Sequence, residues 1–588
     1  MTTIRPTHLK QIVLCLPLLL IGVIANAQQS GSAEQTTGSS RGNITGTVTG
    51  DRGQPLVGAN VIVRRLNVIG GTGRQVTTNN EGNFAATNLE QGLYSIFVTA
   101  AAYVSPPRDR DTPAPVYRPG DSVKFELIRG GVITGTVTNA ENEPVVSIRV
   151  SALMIRDASG NASKGLLQAL GIASTDDRGV YRMYGLVPGT YIVQVGGPGL
   201  GGSGTSMPYD LDGPTYAPSS TRDDAMEITV ASGQESTIDV RYRAEPGHVV
   251  SGSVKNLGET PSNVSLVPAN GGWMTSTNTF QRPGDRGFAF YGVADGVYDV
   301  LAQQNTNVPG GPPEISFSDG RRITVKGADV SGIELVTKPL GSITGVLALQ
   351  PSTATECAGK RRPVLSEIML TAQRNSLPEE TVPLPLRRTA AFAAPDKNGA
   401  ITFRNLVGGH YAIIPRFFAR YWYLQSITHT TVGAASAKTA LSNQKIDVAK
   451  NWINVKSGDR VTGLTVTLAE GAGSVRGSLV LRENSKPAAN INVIFVPAER
   501  EKADDVLRYF AFEVGPDQTF NADNLPPGRY WITTHPRLPR DTPGNNLRLP
   551  DGSQQRIRLR LMAEASNFVI ELKPCQNITD YKLRDVSQ

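Results

Sequence analysis

One aromatic stretch has residue types that could bind a ligand. Tyr421, Trp422 and Tyr423 are consecutive, and Trp452 follows further along the chain. Exposed aromatic rings can stack on sugar rings, and strand alternation would send Tyr421 and Tyr423 to one face and Trp422 to the other. The same rings could instead fill a hydrophobic core. The stretch therefore predicts either a carbohydrate-stacking surface or a core strand, and both stay open.

A second stretch alternates basic and aliphatic side chains. Arg556, Arg558 and Arg560 alternate with Ile557, Leu559 and Leu561. This period of two predicts a two-faced strand with a row of arginines along one face. The row could meet an anionic partner such as lipid headgroups or acidic polysaccharide. Alternatively, the charges could protect a sheet edge from aggregation.

The cysteines offer one possible bridge. The chain has three cysteines, which excludes a disulfide-dense scaffold. Cys15 lies in an N-terminal apolar run, so Cys357 and Cys575 would remain after its removal. In an oxidising compartment these two could pair, and the alternative is two buried free thiols.

Motifs for catalysis are missing from the sequence. None of the five histidines has a glutamate three residues later, and no His-Glu-x-x-His occurs, which argues against a zinc peptidase. There is no phosphate-binding loop of the form Gly-x-x-x-x-Gly-Lys-Ser/Thr. We therefore predict no catalytic residue, no metal ligand and no cofactor. The histidines are His8, His248, His410, His429 and His535.

The composition favours many short strands joined by turns. The chain has 588 residues, with 61 Gly, 39 Pro, 39% hydrophobic and 19% charged residues. This length suggests roughly four to six domains, and a content so rich in turn formers argues against long helices. The net charge of +7 is mild and lacks the clustered basic stripe that nucleic-acid binding requires.

The N-terminus reads as an export signal. Arg5 and Lys10 precede an apolar run, and Ala25-Asn26-Ala27 forms a small-x-small cleavage site. We predict a signal peptide over 1–27 and a flexible leader over 28–41. The run is shorter than the ~20 residues of a membrane span, and no second one follows. The mature chain is thus predicted in the periplasm, at the outer-membrane surface or outside the cell, without an integral membrane segment.

An internal repeat determines the predicted fold. A strand start of the form Ile-Thr-Gly-x-Val recurs five times, with a central glycine where a neighbouring backbone or ring must come close. An Asp-x-x-Gly hairpin turn, a Leu-x-Pro-Gly-x-Tyr corner and one closing strand follow in most copies, with divergent residues in the others. The corner tyrosine, Tyr191 in the second copy, is expected to bond back to upstream backbone. The central glycines are Gly46, Gly135, Gly252, Gly345 and Gly477.

This order of motifs resembles the carboxypeptidase regulatory-like domain. The first copy matches best, because Gln54-Pro55-Leu56-Val57-Gly58-Ala59-Asn60-Val61 supplies the usual lead-in to the second strand. The resemblance implies a small prealbumin-like, Ig-like β-sandwich that accompanies zinc peptidases without being one. It also implies kinship with starch-binding-like modules.

We therefore predict an all-β chain, a tandem array of about five Ig-like or prealbumin-like β-sandwich domains. The predicted function is a non-catalytic exported interaction and scaffold protein, and the alternative is a carbohydrate-binding protein in polysaccharide recognition. Its partners would be carbohydrate or other surface proteins and not nucleic acid. The predicted boundaries are 42–131, 132–248, 249–341, 342–473 and 474–575, with a tail over 576–588.

Overall fold

A computed structural model gives the architecture of the chain. It describes residues 41–66, 73–106, 115–162, 169–197, 209–255, 261–269, 274–279, 286–308, 313–375, 390–432, 443–480, 491–536 and 547–584. The predicted signal peptide and nearly all of the predicted leader lie outside these ranges. The protein is all-β, as predicted, and helix α1 (Ser553–Ser566) is the single α-helix within them.

The first unit packs two sheets over a shared core. Its sheets have the orders β4-β1-β7-β6 and β3-β2-β5. The start strand β1 pairs antiparallel with β4 and parallel with β7, and its alternate residues Ile44 and Val48 are fully buried. The strands are β1 (Gly42–Gly50), β2 (Asn60–Arg65), β3 (Arg74–Thr77), β4 (Asn83–Leu89), β5 (Tyr94–Thr99), β6 (Tyr103–Val104) and β7 (Ser122–Arg129).

The second unit also has two sheets, whereas the strands of the third unit join in one sheet of eight strands. The start strands β8 and β17 each pair antiparallel with the strand after the hairpin turn and parallel with a closing strand. The strands of the second unit are β8 (Gly131–Thr138), β9 (Arg149–Asp157), β10 (Ala169–Ser174), β11 (Val180–Leu186), β12 (Gly189–Val195), β13 (Thr215–Tyr216), β14 (Ile228–Val230), β15 (Glu235–Thr237) and β16 (Val240–Arg241). Those of the third are β17 (His248–Lys255), β18 (Ser262–Pro268), β19 (Thr275–Asn278), β20 (Gly287–Val293), β21 (Gly296–Thr306), β22 (Glu314–Ser318), β23 (Arg321–Val325) and β24 (Val330–Pro339).

The fourth and fifth units follow the same order and add short helices. The strands of the fourth unit are β25 (Gly341–Gln350), β26 (Ile368–Arg374), β27 (Ala390–Ala393), β28 (Ala400–Leu406), β29 (Gly409–Phe417), β30 (Trp422–Val432), β31 (Asn443–Asp447), β32 (Ile453–Val455) and β33 (Arg460–Glu470). Those of the fifth are β34 (Gly473–Val480), β35 (Ile491–Pro497), β36 (Phe510–Glu513), β37 (Thr519–Leu525), β38 (Gly528–Pro536), β39 (Val569–Leu572) and β40 (Asn577–Arg584). Short 3-10 helices lie at Thr355–Cys357, Leu365–Glu367, Arg500–Lys502, Val506–Arg508 and Pro550–Gly552.

Each of these units has its own cluster of buried hydrophobic side chains. The clusters form because alternate strand residues point inward, from two facing sheets in four of the units and from the single folded sheet of the third. The division into five independently folding domains at the boundaries given above stays a prediction.

The strand order at the end of the fifth unit differs from the predicted one. The repeat pattern predicts the closing strand at Phe568–Leu572, but β39 (Val569–Leu572) pairs antiparallel with β38 instead. Strand β40, which the prediction assigned to a tail after residue 575, pairs parallel with the start strand β34 and so closes the unit. Asp580 has a φ of 59°, which interrupts the alternation of β40 and hid the strand from a pattern of period two.

The central glycines allow two backbones to come close. A Cβ placed on Gly135 would lie 1.8 Å from the carbonyl oxygen of Ile238 in the closing segment. The equivalent separations at the other four copies are 2.1–2.3 Å. No side chain fits at these distances, so the predicted reason for the glycines is confirmed. The four pairs are Gly46 with Val123, Gly252 with Ile333, Gly345 with Leu464 and Gly477 with Tyr581.

The corner tyrosines also behave as predicted. In all five units, the tyrosine hydroxyl donates to the carbonyl oxygen four residues upstream. These pairs are Tyr94 with Glu90, Tyr191 with Val187, Tyr298 with Ala294, Tyr411 with Val407 and Tyr530 with Pro526, at 2.5–2.9 Å. Burial raises the pKa of the Tyr298 hydroxyl to about 12, so the hydroxyl stays protonated and able to donate.

Replacing Tyr191 with phenylalanine is therefore expected to destabilise the second unit by about 1 kcal/mol, because the carbonyl of Val187 loses its donor. Hydrogen exchange of the β12 peptides in the full chain measures this change. Tyr184→Phe is the control, since that side chain is 74% exposed. Equal protection of both variants would contradict the role of the corner.

Candidate functional site at the junction of the fourth and fifth units

None of the four aromatic residues predicted to stack on a ligand is exposed. Trp422 is fully buried in the core of the fourth unit, whereas Tyr421, Tyr423 and Trp452 are half-buried. Burial raises the pKa of the Tyr423 hydroxyl. Trp422 therefore fills the hydrophobic core, as the second of the two predictions has it. The four rings do not form one exposed surface on which a sugar could stack.

Tyr421 lies in a turn before strand β30 and not in the strand. Its φ of 68° is in the left-handed region, so the predicted alternation with Tyr423 begins only at Trp422. The Tyr421 hydroxyl accepts a hydrogen bond from Nδ2 of Asn577 at 2.9 Å, and Nζ of Lys360 lies 5.0 Å from the ring centroid. The ring therefore bridges the fourth unit and strand β40 of the fifth.

The backbone of this turn also binds the link between the two units. The amides of Gly471 and Ala472 donate to the carbonyl oxygen of Tyr421 at 2.7 and 2.9 Å. The amide of Cys575 in turn donates to the carbonyl oxygen of Gly471 at 2.9 Å. The aromatic turn, the linker and the fifth unit thus share one hydrogen-bond network.

The two cysteines meet at the same junction. The structure joins Cys357 of the fourth unit and Cys575 of the fifth in a disulfide, with a Cα–Cα distance of 5.3 Å and a sequence separation of 218. Both side chains are buried. Of the two predicted arrangements, the structure thus has the disulfide and not the two free thiols.

A corner residue of the fifth unit completes the junction. Asn524 lies at a bulge between β34 and β37 with a φ of 62°. Its Nδ2 donates to the carbonyl oxygens of Ala419 and Trp422 at 2.8 and 2.7 Å. Val506 and Leu507 of the fifth unit belong to the hydrophobic cluster of the fourth. The junction therefore combines apolar contact with hydrogen bonds that cross from one unit to the other.

The same corner position recurs at the earlier junctions. Oδ1 of Asn405 accepts from the amide of Ile315 in the third unit at 3.2 Å. A Cβ on Gly292 would lie 2.6 Å from the carbonyl oxygen of Asp210 in the second unit. A Cβ on Gly185 would have Val104 of the first unit as its nearest neighbour. The corner residue of each later unit thus faces the unit before it.

These corner residues were not predicted from the sequence. The position directly before the apolar residue of the Leu-x-Pro-Gly-x-Tyr motif is Asn or Gly in every copy, and these residue types adopt positive φ most readily. All five have φ values of 56–71°. This regularity was a readable signal for a bulge. The residues are Asn88, Gly185, Gly292, Asn405 and Asn524.

The predicted arginine row is wrong. The residues over 553–566 form helix α1, whose period places Arg556 on one face with Leu559 and Ala563, all three buried. Nη1 of Arg556 donates to the carbonyl oxygens of Leu547 and Leu549, and burial lowers the pKa of this guanidinium. Arg560 donates to the carbonyl oxygen of Pro497.

Of the three arginines in the predicted patch, only Arg558 is exposed to solvent. Two of the aliphatic residues assigned to the buried face of the strand, Ile557 and Leu561, are instead 56% and 63% exposed. A row of three charges able to meet an anionic partner is therefore not formed.

Within the described ranges, no group of three or more His, Cys, Asp or Glu side chains could hold a metal ion. Among the same residues, the structure has no helix that combines the length and the apolar character required to cross a membrane.

Comparison with known proteins gives one family match. Residues 43–111 match the family model of the carboxypeptidase regulatory-like domain. No curated protein sequence matches the chain significantly.

Solved structures give more distant likenesses. The TIE protein of Bacillus anthracis is 16% identical, with coverage of 51% of each chain and a TM-score of 0.14. The chain thus spans about half the length of that protein. A minor pilin of Streptococcus agalactiae is 13% identical over 35% of this chain and 97% of its own, with a TM-score of 0.19. The major pilin subunit of Bacillus cereus is 10% identical over 51% and 99%, with a TM-score of 0.13.

Proposed function

We propose, on the premise that residues 43–111 form a carboxypeptidase regulatory-like domain, that this chain is a non-catalytic exported scaffold. Its β-sandwich units would act as five domains in tandem, held in fixed relation by the corner residues and bearing loops that contact other surface proteins. The observation that supports this proposal best is the junction of the fourth and fifth units.

A scaffold needs junctions that resist bending. The Asn524 amide makes two hydrogen bonds across the junction, to Ala419 and Trp422, and a disulfide crosses it as well. Hydrogen bonds of this kind each contribute about 1 kcal/mol, and a lost donor leaves buried acceptors unsatisfied. The fourth and fifth units would accordingly unfold together, as one cooperative body.

Asn524→Asp is expected to weaken this coupling by about 2 kcal/mol or more. Aspartate has nearly the same shape and tolerates positive φ, but it replaces the Nδ2 donor with an oxygen that faces two carbonyl oxygens. Differential scanning calorimetry of the full chain should show one joint transition for the two units in the native protein. In the variant, this transition should split or move to a lower temperature.

Asn454→Asp in the fourth unit makes the same chemical change at an exposed position, so it should leave the transition unchanged. Separate transitions in the native chain would overturn the rigid junction. Identical behaviour of the two variants would overturn the role of Asn524.

Carbohydrate binding stays a prediction. The four rings named for it are half-buried or buried, and more exposed tyrosines lie elsewhere, at Tyr184 and Tyr291 on the bulges of the second and third units. A glycan array probed with the mature chain would test this alternative.

A further inference from the structure

The first and fourth units contact each other although two units separate them along the chain. Nη1 of Arg118 lies 3.7 Å from Oε2 of Glu367 and donates to the carbonyl oxygen of Phe418 at 3.4 Å. Close by, Oγ of Ser366 donates to the carbonyl oxygen of Gln91 at 3.3 Å. The contact therefore joins two segments of the first unit to two segments of the fourth.

Glu367 is a buried carboxylate, with only 5% of its surface exposed. Nη2 of Arg361, from its own unit, lies 3.2 and 3.3 Å from the two carboxylate oxygens. Arg118 supplies a second positive charge from the other unit. A buried carboxylate is stable only when it is paired with a positive charge. The stability of the Glu367 carboxylate in the fourth unit therefore depends on the position of the first unit, which supplies Arg118.

The ring of Phe418 lies beside two guanidinium groups. The Cζ atom of Arg118 is 5.7 Å from the ring centroid, and that of Arg416 is 5.6 Å away. Cation–π contact at these distances adds attraction that lysine reproduces only in part, because guanidinium is planar and weakly hydrated. On its own side, Arg118 is held by Asp121, whose Oδ2 accepts from the Arg118 amide at 2.9 Å.

We propose that Arg118 is a latch that holds the first unit against the fourth. The latch engages the Glu367 carboxylate, the Phe418 carbonyl oxygen and the Phe418 ring with a single guanidinium. This goes beyond the proposed junctions between consecutive units, because it fixes both ends of the segment 132–341 that contains the second and third units. Opening the latch would leave Glu367 with Arg361 alone.

Pulsed electron–electron double resonance, which measures the distance between two spin labels, tests the latch in the full chain. Spin labels on V57C in the first unit and F392C in the fourth occupy positions that are 61% and 57% exposed. The label-to-label distance distribution should be narrow with Arg118 in place. Arg118→Glu should broaden it at least twofold, because a glutamate there repels Glu367 and loses the ring contact. Arg118→Lys should give an intermediate width.

Arg52→Glu is the matched control, since it makes the same charge change at an exposed turn of the first unit. It should leave the distribution narrow. Calorimetry checks that the units remain folded in each variant. A broad distribution in the native chain, or one unchanged by Arg118→Glu in a folded variant, would overturn the proposal.

Discussion

Replacing Gly135 with alanine is expected to lower the free energy of unfolding of the second unit by about 3 kcal/mol. The new Cβ would lie 1.8 Å from the carbonyl oxygen of Ile238 and 2.5 Å from its carbonyl carbon. The closing segment cannot easily retreat, because strands β15 and β16 pair with β8 on either side of Ile238. Asp239 also accepts hydrogen bonds from the amide and hydroxyl of Thr136.

Gly213→Ala in the same unit is the control for this variant. The nearest atom to its Cβ would be the carbonyl oxygen of Glu245 at 3.7 Å, an ordinary contact. Hydrogen exchange of the β8 and β15 peptides in the full chain reports the local stability. If Gly135→Ala kept the protection of the control, the close approach of the two backbones would not be the reason for the glycine.

Removing the disulfide is expected to have an effect of similar or larger size. Cys357→Ser combined with Cys575→Ser should lower the stability of the fourth and fifth units by about 3–5 kcal/mol, because the bridge closes a long loop in the unfolded chain. The sequence separation of 218 residues places the expected loss toward the upper end of this range, because a longer closed loop restricts the unfolded chain more. Both side chains are buried, so the hydroxyls add a desolvation cost.

Calorimetry of the full chain with and without a thiol reductant measures this contribution. The reductant should lower the transition of the native chain and leave that of the double variant where it was. A native transition that does not respond to complete reduction, verified by thiol labelling, would contradict the prediction.

The parts of the fold that follow from local chemistry could be predicted from the sequence. The turn at Asp176 is an example, because its Oδ1 accepts from the amides of Arg178 and Val180 while Gly179 has a φ of 74°. Those contacts involve residues within four positions of one another. The tyrosine corner depends on a similarly short segment, and it was predicted for the same reason.

Helix α1 was not predicted because its sequence fits two periods. Arg556 to Leu561 alternates like a strand, but Gln554, Met562 and Glu564 around it are good helix formers, and Leu559 and Ala563 continue a helical face. The carbonyl oxygens of Leu547 and Leu549 stabilise the helical form, because they accept hydrogen bonds from the guanidinium of Arg556, which the helix buries. Neither contact is visible in the pattern of the helix itself.

The junction of the fourth and fifth units could be predicted only in pieces. Cys357, Cys575 and the aromatic stretch were each noticed, but nothing in their spacing brings them together. Asn524 meets the aromatic turn across 102 residues of chain, to the carbonyl oxygen of Trp422. Such contacts depend on the angle between two sandwiches, which a repeat pattern does not encode.

The bond between Cys357 and Cys575 also determines how the protein would respond to pulling. Tension applied outside the bridge would pass through the sulfur atoms and not through the enclosed strands. The enclosed 218-residue span would withhold roughly 700 Å of extended chain until the bond was reduced. Under load, strands β26 to β39 would stay shielded between the two sulfur atoms, whereas β25 and β40 lie outside the bridge and would bear the tension, and a reducing environment would remove the shielding.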